Sequence, residues 1–165
     1  MFREMRRKRQ ALSGELCEEI LKNGSCGTLA LSGDNGYPYA VPMSYVFDGD
    51  KIYFHCAREG HKIDCINRCD KASFCVIGAD RVVPLEYTTY FSSVIVFGRL
   101  RTVEDDGEKR RAINKLSLKY APSDSEENRA AAIEKDFKPL CILELTIEHM
   151  SGKEAIELTK ARENI

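Results

Sequence analysis

The densest group of reactive side chains in the sequence lies within residues 54–64, where an apolar strand pattern gives way to a helical one. The start of a helix carries unpaired backbone N–H groups and a partial positive charge, so it favours an anion. Arg58, His61 and Lys62 add three donors, and Gly60 lets the backbone turn closely around a ligand. This combination predicts a phosphate-binding site, with a solvated basic turn as the alternative.

The strand before it supplies a second candidate segment, residues 41–45. Pro42 interrupts the strand pattern and predicts a sheet edge or a bulge. The Asp48-Gly49-Asp50 turn would pair this strand with residues 51–55. Free backbone groups and the Ser44 hydroxyl can hydrogen-bond the edge of a planar heterocycle. The sequence therefore predicts one continuous site, with an aromatic ring along one strand and a phosphate at the next helix start.

The remaining periodicity predicts the elements that position this site. Strands are expected at 27–31, 37–47, 51–55, 72–77, 87–103 and 140–149, and helices at 13–22, after Gly60, at 106–120 and at 124–137. In the last strand, apolar residues 141, 143, 145 and 147 alternate with polar ones and define two distinct faces. Since regular β-α-β alternation is missing, the pattern favours a mainly β antiparallel barrel with peripheral helices over a Rossmann sheet.

Composition bounds the class of protein. The 165 residues carry 25 Lys+Arg against 26 Asp+Glu, with 43% hydrophobic and 31% charged residues, which is typical of one globular domain over 1–165. The near-neutral balance argues against nucleic-acid binding. No apolar run approaches the roughly 18 residues of a membrane span. The basic segment 1–12 lacks a following apolar region, so it predicts an exposed arm and a cytoplasmic protein.

Seven cysteines sharpen the expected environment. Their odd number and the lack of a C-x-x-C pair favour reduced thiols over a disulfide framework. His61, Cys65 and Cys69 would stack on one helix face, and zinc binding there is an alternative. Packing of these cysteines as small apolar side chains is the favoured interpretation, so no metal site is expected.

Seven segments in order resemble one known family along nearly the whole chain. They are MFREMRRKRQ at 1–10, GTLAL at 27–31, GYPYAVPMSYV at 36–46, IYFHCAREGHKID at 52–64, SFCVI at 73–77, TTYFSSVIVFGRLR at 88–101 and LELTIEHMSGKEAI at 143–156. These segments are similar to the flavin-binding split-barrel superfamily related to pyridoxamine 5′-phosphate oxidase. Within it, they most resemble the 5-nitroimidazole-resistance (Nim) family.

The resemblance implies a homodimer of six-stranded antiparallel split barrels of the FMN-binding type, with cofactor sites at the subunit interface. A helical insertion at 104–138 interrupts this barrel. FMN is the expected cofactor, with FAD or haem as alternatives. His55 would be the residue associated with substrate and catalysis, while Phe91, Ser92 and Ser93 would approach from the partner or close the pocket. Many relatives carry a larger or basic residue at the position of Ser92. The other cofactor-binding positions implied are Val41, Pro42, Met43, Ser44, Tyr45, His55, Ala57, Arg58, Gly60, His61 and Lys62.

Two functions follow from this resemblance. The first is a nitroreductase-like oxidoreductase that passes electron pairs to a small nitroaromatic such as a 5-nitroimidazole, giving non-toxic products. His55 could then donate a proton or hold an anion. The second is a non-catalytic flavin- or haem-binding protein on the same barrel. The electron donor is not identified, because the sequence lacks a G-x-G-x-x-G fingerprint.

Overall fold

The computed structural model describes residues 1–163, which fold into seven strands, five α-helices and three short 3₁₀ turns. The strands are β1 Cys26–Ser32, β2 Pro38–Ser44, β3 Val46–Asp48, β4 Lys51–Cys56, β5 Lys71–Val83, β6 Thr88–Thr102 and β7 Cys141–Glu154. The helices are α1 Gly14–Asn23, α2 His61–Arg68, α3 Asp106–Tyr120, α4 Glu126–Asp136 and α5 Ile156–Glu163. The turns are Lys8–Gln10, Asp34–Gly36 and Pro84–Glu86. None of the helices in this part of the chain is both long and apolar enough to cross a membrane.

All seven strands form one antiparallel sheet in the order β2-β1-β5-β6-β7-β4-β3. The predicted mainly β antiparallel fold with peripheral helices is confirmed, but the expected count of six strands is wrong. The strand predicted at 37–47 divides at Tyr45 into β2, which pairs with β1, and β3, which pairs with β4. Because β2 and β3 are the two ends of the strand order, the sheet must curve until its edges approach each other at Tyr45.

The break at Tyr45 is held by hydrogen bonds to two helices. The Tyr45 ring is fully buried against Phe74, and its hydroxyl donates to the carbonyl of Leu21 in α1 at 2.8 Å. Its backbone N–H donates to the hydroxyl of Tyr120, the last residue of α3, at 2.8 Å. That hydroxyl in turn donates to the carbonyl of Ser25 at 2.6 Å. The backbone group released by the break is therefore satisfied, as a buried N–H must be.

The core fills the inside of the curved sheet, and a second apolar cluster lies on its outer side. The inner core includes the fully buried residues Leu29, Phe54, Phe74, Val76, Val94, Val96, Leu143 and Leu145. The outer cluster lies beneath α3 and consists of Tyr53, Val103, Ala112, Leu116 and Ile142. Near the start of β7, the inner core therefore covers one face of the strand and the cluster beneath α3 covers the other. Helix α3, within the predicted insertion, lies over the outer face.

The N-terminal arm lies along β7. Ala11 forms a bridge to Lys153, and the buried Gln10 side-chain amide donates to the carbonyl of Glu154 at 3.0 Å. Further toward the terminus, the Phe2 ring stacks on His149 with 4.6 Å between ring centroids. Most side chains of the arm are exposed, as its basic composition predicts, while its backbone and two side chains contact the sheet.

A buried carboxylate links β7 to two neighbouring strands on the outer face. The Glu144 side chain is 2% exposed and accepts hydrogen bonds from Lys51 Nζ at 2.9 Å, Arg101 Nε at 3.0 Å and Arg101 Nη2 at 2.9 Å. Burial opposes ionisation of this carboxyl, but the hydrogen bonds from Arg101 and Lys51 outweigh burial and lower its pKa to about 2. The charge of Glu144 therefore stabilises the folded state.

Replacing Glu144 by Gln should lower the free energy of unfolding by about 1–3 kcal/mol near neutral pH, because two cations lose a charged acceptor. The folded pKa lies below the ordinary value of 4.5, so this stabilisation is present above that value and is lost as pH falls toward about 2. Urea unfolding near neutral pH and at about pH 3 should show the difference between the two proteins narrowing with acid.

The matched control is Glu148→Gln, since Glu148 pairs with Arg99 at an exposed position on the same strand. Exposed pairs contribute about 0–1 kcal/mol, so this variant should stay close to the wild-type protein. A Glu144→Gln deficit that is the same at both pH values would contradict the role assigned to the carboxylate.

Candidate functional site

The connection between β4 and α2 forms an open helix start. Gly60 precedes α2 with φ +122°, a conformation that glycine adopts readily and other residues rarely. Its carbonyl accepts from the backbone N–H groups of Ile63 at 2.9 Å and Asp64 at 3.1 Å. No side chain caps the helix, and the space beside Gly60 is open. The helix N-terminus can thus receive an external acceptor.

Two cations stand beside this helix start without a carboxylate partner. Arg58 is exposed and Lys62 is half-buried, and within residues 1–163 neither side chain takes part in an ion pair. Both flank Gly60 closely in the chain. The predicted phosphate-binding segment therefore carries two cations without an ion-pair partner, and free backbone donors at the start of α2, within a short stretch of chain.

The third predicted donor, His61, is engaged elsewhere. Its Nε2 lies 3.1 Å from Asp34 Oδ2, and its ring lies 4.3 Å from the ring of Tyr39. Arg68 at the other end of α2 contacts the same carboxylate, with 2.6 Å between its Nη2 and Asp34 Oδ1. Asp34 therefore fixes α2 to the turn between β1 and β2, and His61 contributes to this attachment.

Strand β2 offers an unpaired backbone edge. The N–H of Gly33 donates to the carbonyl of Tyr37 at 2.9 Å, so the odd-numbered residues of β2 direct their backbone groups toward β1. The even-numbered residues, including Ala40 and Ser44, direct theirs to the open side, since β2 ends the strand order. Pro42 falls on this outward register, where its missing N–H interrupts no ladder bond.

Side chains of residues 41–45 alternate between the core and the outside. Met43 and Tyr45 are buried in the core, and Val41 packs against it. Pro42 and Ser44 are exposed on the opposite face. Of the five predicted binding residues, Pro42 and Ser44 present their side chains outward, while the core positions leave only their backbone to a ligand. The five residues are predicted as one binding segment, but strand alternation directs their side chains to two opposite faces of the sheet.

The β2 edge and the β4–α2 loop lie side by side. The ring contact between Tyr39 and His61 joins the two segments directly, and β2 also contacts β4. His55 is exposed next to this loop, on the face of β4 opposite to the buried Phe54. Ala57 is exposed at the start of the loop. Within one chain, the structure thus brings together the 41–45 and 55–62 segments of the predicted site.

The segment of Phe91, Ser92 and Ser93 lies elsewhere. These half-buried residues belong to β6, where Ser92 and Ser93 pair with Glu154 and Lys153 of β7. Strands β1 and β5 separate β6 from β2 in the sheet. Strand order therefore places this third segment away from the free edge of its own chain.

The two cysteines predicted to stack with His61 have structural positions in and after α2. Cys65 is fully buried, and its sulfur accepts from Arg68 at 3.5 Å, while Cys69 ends the helix. Across residues 1–163, no three side chains of His, Cys, Asp or Glu lie close enough together to hold a metal ion.

Behind the loop lies a cavity of about 310 Å³ that the sequence does not predict. Its lining includes Arg58, Ile63, Lys109, Leu140 and Cys141. Asp34 and Tyr39, which fix α2, also escape prediction from the sequence. Their partners are distant in the chain, and no spacing pattern links a turn residue to a later helix.

Comparison with known proteins agrees with this architecture. A family model described as pyridoxamine 5′-phosphate oxidase matches residues 13–154, and the chain belongs to this family. No curated protein matches the sequence.

Several solved structures share the fold. A candidate 5-nitroimidazole antibiotic resistance protein from Bacteroides thetaiotaomicron VPI-5482 has a TM-score of 0.75 at 21% identity, with 87% of this chain and 86% of that chain covered. An FAD-binding protein from Mesorhizobium loti has a TM-score of 0.63 at 24% identity, covering 88% and 96%. An FAD- and heme-binding protein from Mycobacterium smegmatis has a TM-score of 0.70 at 19% identity, covering 93% and 80%. The likeness establishes the split-barrel fold of this family.

Proposed function

We propose that this protein binds FMN along the free edge of β2 and acts as a nitroreductase-like oxidoreductase of the Nim type. The supporting observation is the juxtaposition of an unpaired strand edge with an uncapped helix start and two uncompensated cations. A flavin mononucleotide has the matching parts, a planar ring with donors and acceptors along one side and a phosphate dianion at the end of its chain. The FAD-binding proteins of the same fold support a flavin here.

The residues present fit such a ligand. The outward N–H groups of Ala40 and Ser44 and the Ser44 hydroxyl can bond the ring edge. Arg58, Lys62 and the backbone at the start of α2 can hold the phosphate. Two cations against one dianion balance the charge. Of the alternatives, FAD shares the flavin ring and phosphates, and haem would require an axial ligand on the same surface.

A bound flavin would supply two-electron redox chemistry, and the protein would orient the reactants. His55 lies on the outer face of β4, beside the loop that carries Arg58. A ring N–H of His55 would donate a proton to a nitro oxygen of the substrate. The 5-nitroimidazole substrate class is supported by the Bacteroides neighbour of the same fold.

We further propose that the protein works as a homodimer. The β5–β6 hairpin exposes large apolar side chains, with Leu85 95%, Tyr87 97%, Val82 67% and Ile77 64% exposed. A concentration of large exposed apolar side chains on one element often marks a surface that another protein covers. Phe91, Ser92 and Ser93 lie on the same hairpin, away from the edge of their own chain. A second copy would let this hairpin reach the partner's flavin and complete the site.

Replacing both Arg58 and Lys62 by Ala should weaken FMN binding by about ten- to a hundred-fold, because two charge-assisted hydrogen bonds to phosphate are lost. Binding of riboflavin, which has no phosphate, should change little. Titrations followed by flavin fluorescence, with visible absorption spectra of the purified protein, measure both ligands. Two flavin bands that bleach with dithionite are expected.

Lys135→Ala is the matched control, since Lys135 is an exposed residue of α4, and α4 contributes no side chain to the proposed site. It should bind FMN and riboflavin like the wild-type protein. Equal losses for both ligands in the double variant would contradict the phosphate assignment, and a Soret band in the purified protein would favour haem.

His55→Ala should keep FMN affinity within about two-fold yet lower turnover of a 5-nitroimidazole by about 10²–10⁴-fold, the usual effect of losing a general acid. Anaerobic assays with reduced flavin and the nitro compound measure this. His149→Ala is the control, because His149 stacks on Phe2 of the N-terminal arm. If the wild-type protein reduces no nitro compound with any donor, the binding-protein alternative gains support.

The hairpin variant Val82→Lys with Leu85→Lys should convert the protein from a dimer to a monomer of 18.7 kDa, because it places charges in the proposed interface. Sedimentation equilibrium measures the mass. Leu118→Lys is the control, since Leu118 is a partly exposed apolar residue on α3. A wild-type monomer that binds flavin tightly would contradict the dimer proposal.

A further inference from the structure

Two thiols face each other where β4 ends and β7 begins. Cys56 and Cys141 are direct partners in the antiparallel register, and both are free cysteines. The N–H of Ile147 donates to the carbonyl of Asp50 at 2.9 Å, which makes that opposite pair a hydrogen-bonded one. Pair types alternate every residue, so Cys56 and Cys141 also form a hydrogen-bonded pair. Their Cα atoms are then about 5.5 Å apart, within the range of a disulfide.

A cavity gives small molecules access to this pair. Cys141 has little exposed surface, but it lines the cavity of about 310 Å³ together with Arg58 and Lys109. Lys109 is itself buried and donates to the carbonyl of Phe137 at 3.0 Å. A polar solute inside this cavity would therefore meet the Cys141 sulfur among side chains of both charges, because Glu104 and Asp106 line it as well.

The neighbouring groups favour the thiolate at Cys141. A hydrogen bond from the Cys56 thiol lowers the pKa of Cys141 to about 7, with burial and the charge of Glu104 opposing and the charges of Arg58 and Lys109 assisting. The pKa of Cys56 is raised, chiefly because its proton is shared with the sulfur of Cys141. One sulfur is thus suited to attack, and the other keeps its proton.

We propose that Cys56 and Cys141 are a dithiol site that reduces hydroperoxides, with Cys141 as the attacking sulfur and Cys56 as the resolving one. The Cys141 thiolate attacks a peroxide oxygen, the O–O bond breaks, and the released oxygen leaves as water or an alcohol after taking up a proton. The Cys56 sulfur then attacks the Cys141 sulfenic acid, an S–S bond forms, and water leaves. Two thiols are oxidised for each hydroperoxide reduced.

The disulfide can be reduced again by thiol–disulfide exchange. The cavity that Cys141 lines gives an external dithiol a route to the bond, and its attack would restore both thiols.

Peptide mapping of the full chain tests the site directly. After treatment with hydrogen peroxide, the protein should lose the mass of two hydrogen atoms and yield a cross-linked peptide pair containing Cys56 and Cys141, which dithiothreitol separates. Disulfides between other cysteines, or oxidation only at the exposed Cys26, would overturn the proposal.

Variants separate the two roles. Cys56→Ser should stop at the sulfenic acid, which dimedone labels at Cys141, and Cys141→Ser should lose both products. Cys75→Ser is the control, because Cys75 lies on β5 outside this pair, and it should form the disulfide as the wild-type protein does. Dimedone labelling at Cys56 in the Cys141→Ser variant, at the wild-type rate, would overturn the assignment of the attacking sulfur. The wild-type mapping requires no variant to fold, and none of these measurements requires flavin.

Discussion

The fold depends on one constraint, the transfer of a single strand from one edge of the sheet to the other at Tyr45. The strand begins in a ladder with β1 and continues in a ladder with β4, so it must leave one set of hydrogen bonds before it enters the next. Tyr45 makes this possible, because its ring anchors the break in the core while the Tyr120 hydroxyl satisfies its backbone. This anchor therefore fixes the point at which the two edges of the curved sheet meet.

The open edge of β2 is a consequence of that transfer. Because β3 takes the place beside β4, β2 stops short of pairing on its outer side, and its backbone groups from Ala40 to Ser44 stay open. Free edges invite aggregation, and proline is one of the ordinary protections. Pro38 and Pro42 both fall on the outward register, where they limit pairing with another strand while leaving carbonyls and two N–H groups available. The same positions that protect the edge also define which atoms a flat ligand can meet.

Local patterns predict much of this structure. The helix expected at 106–120 has the bounds of α3, and the turn at 48–50 joins two strands as expected. Gly60 and the neighbouring cations predict the loop before α2, because the backbone conformation of a glycine and the charge of a side chain depend on the residue itself. The division at Tyr45 is not local, since it depends on Leu21 and Tyr120, which belong to distant helices.

In the candidate site, too, features set within one segment could be predicted, whereas contacts between distant segments could not. Arg58, Lys62 and the 41–45 edge could be predicted because each acts through its own backbone or charge. The engagement of His61 could not, because its partner Asp34 lies in a turn with no pattern that points to α2. The alternating periodicity of β7 also failed to predict the burial of Ile142 and Glu144, since a helix inserted earlier in the chain covers their face.

The end of β4 concentrates two kinds of chemistry on opposite sides of one sheet. Strand alternation directs His55 outward, toward the side of the free β2 edge, and Cys56 toward the inner core and Cys141. Both residues lead into the loop that carries Arg58, which also lines the cavity at Cys141. A movement of the strand end would therefore change the position of a phosphate ligand and the access to the thiols together. The sheet would separate the two proposed reactions in space, while the loop would couple their geometry.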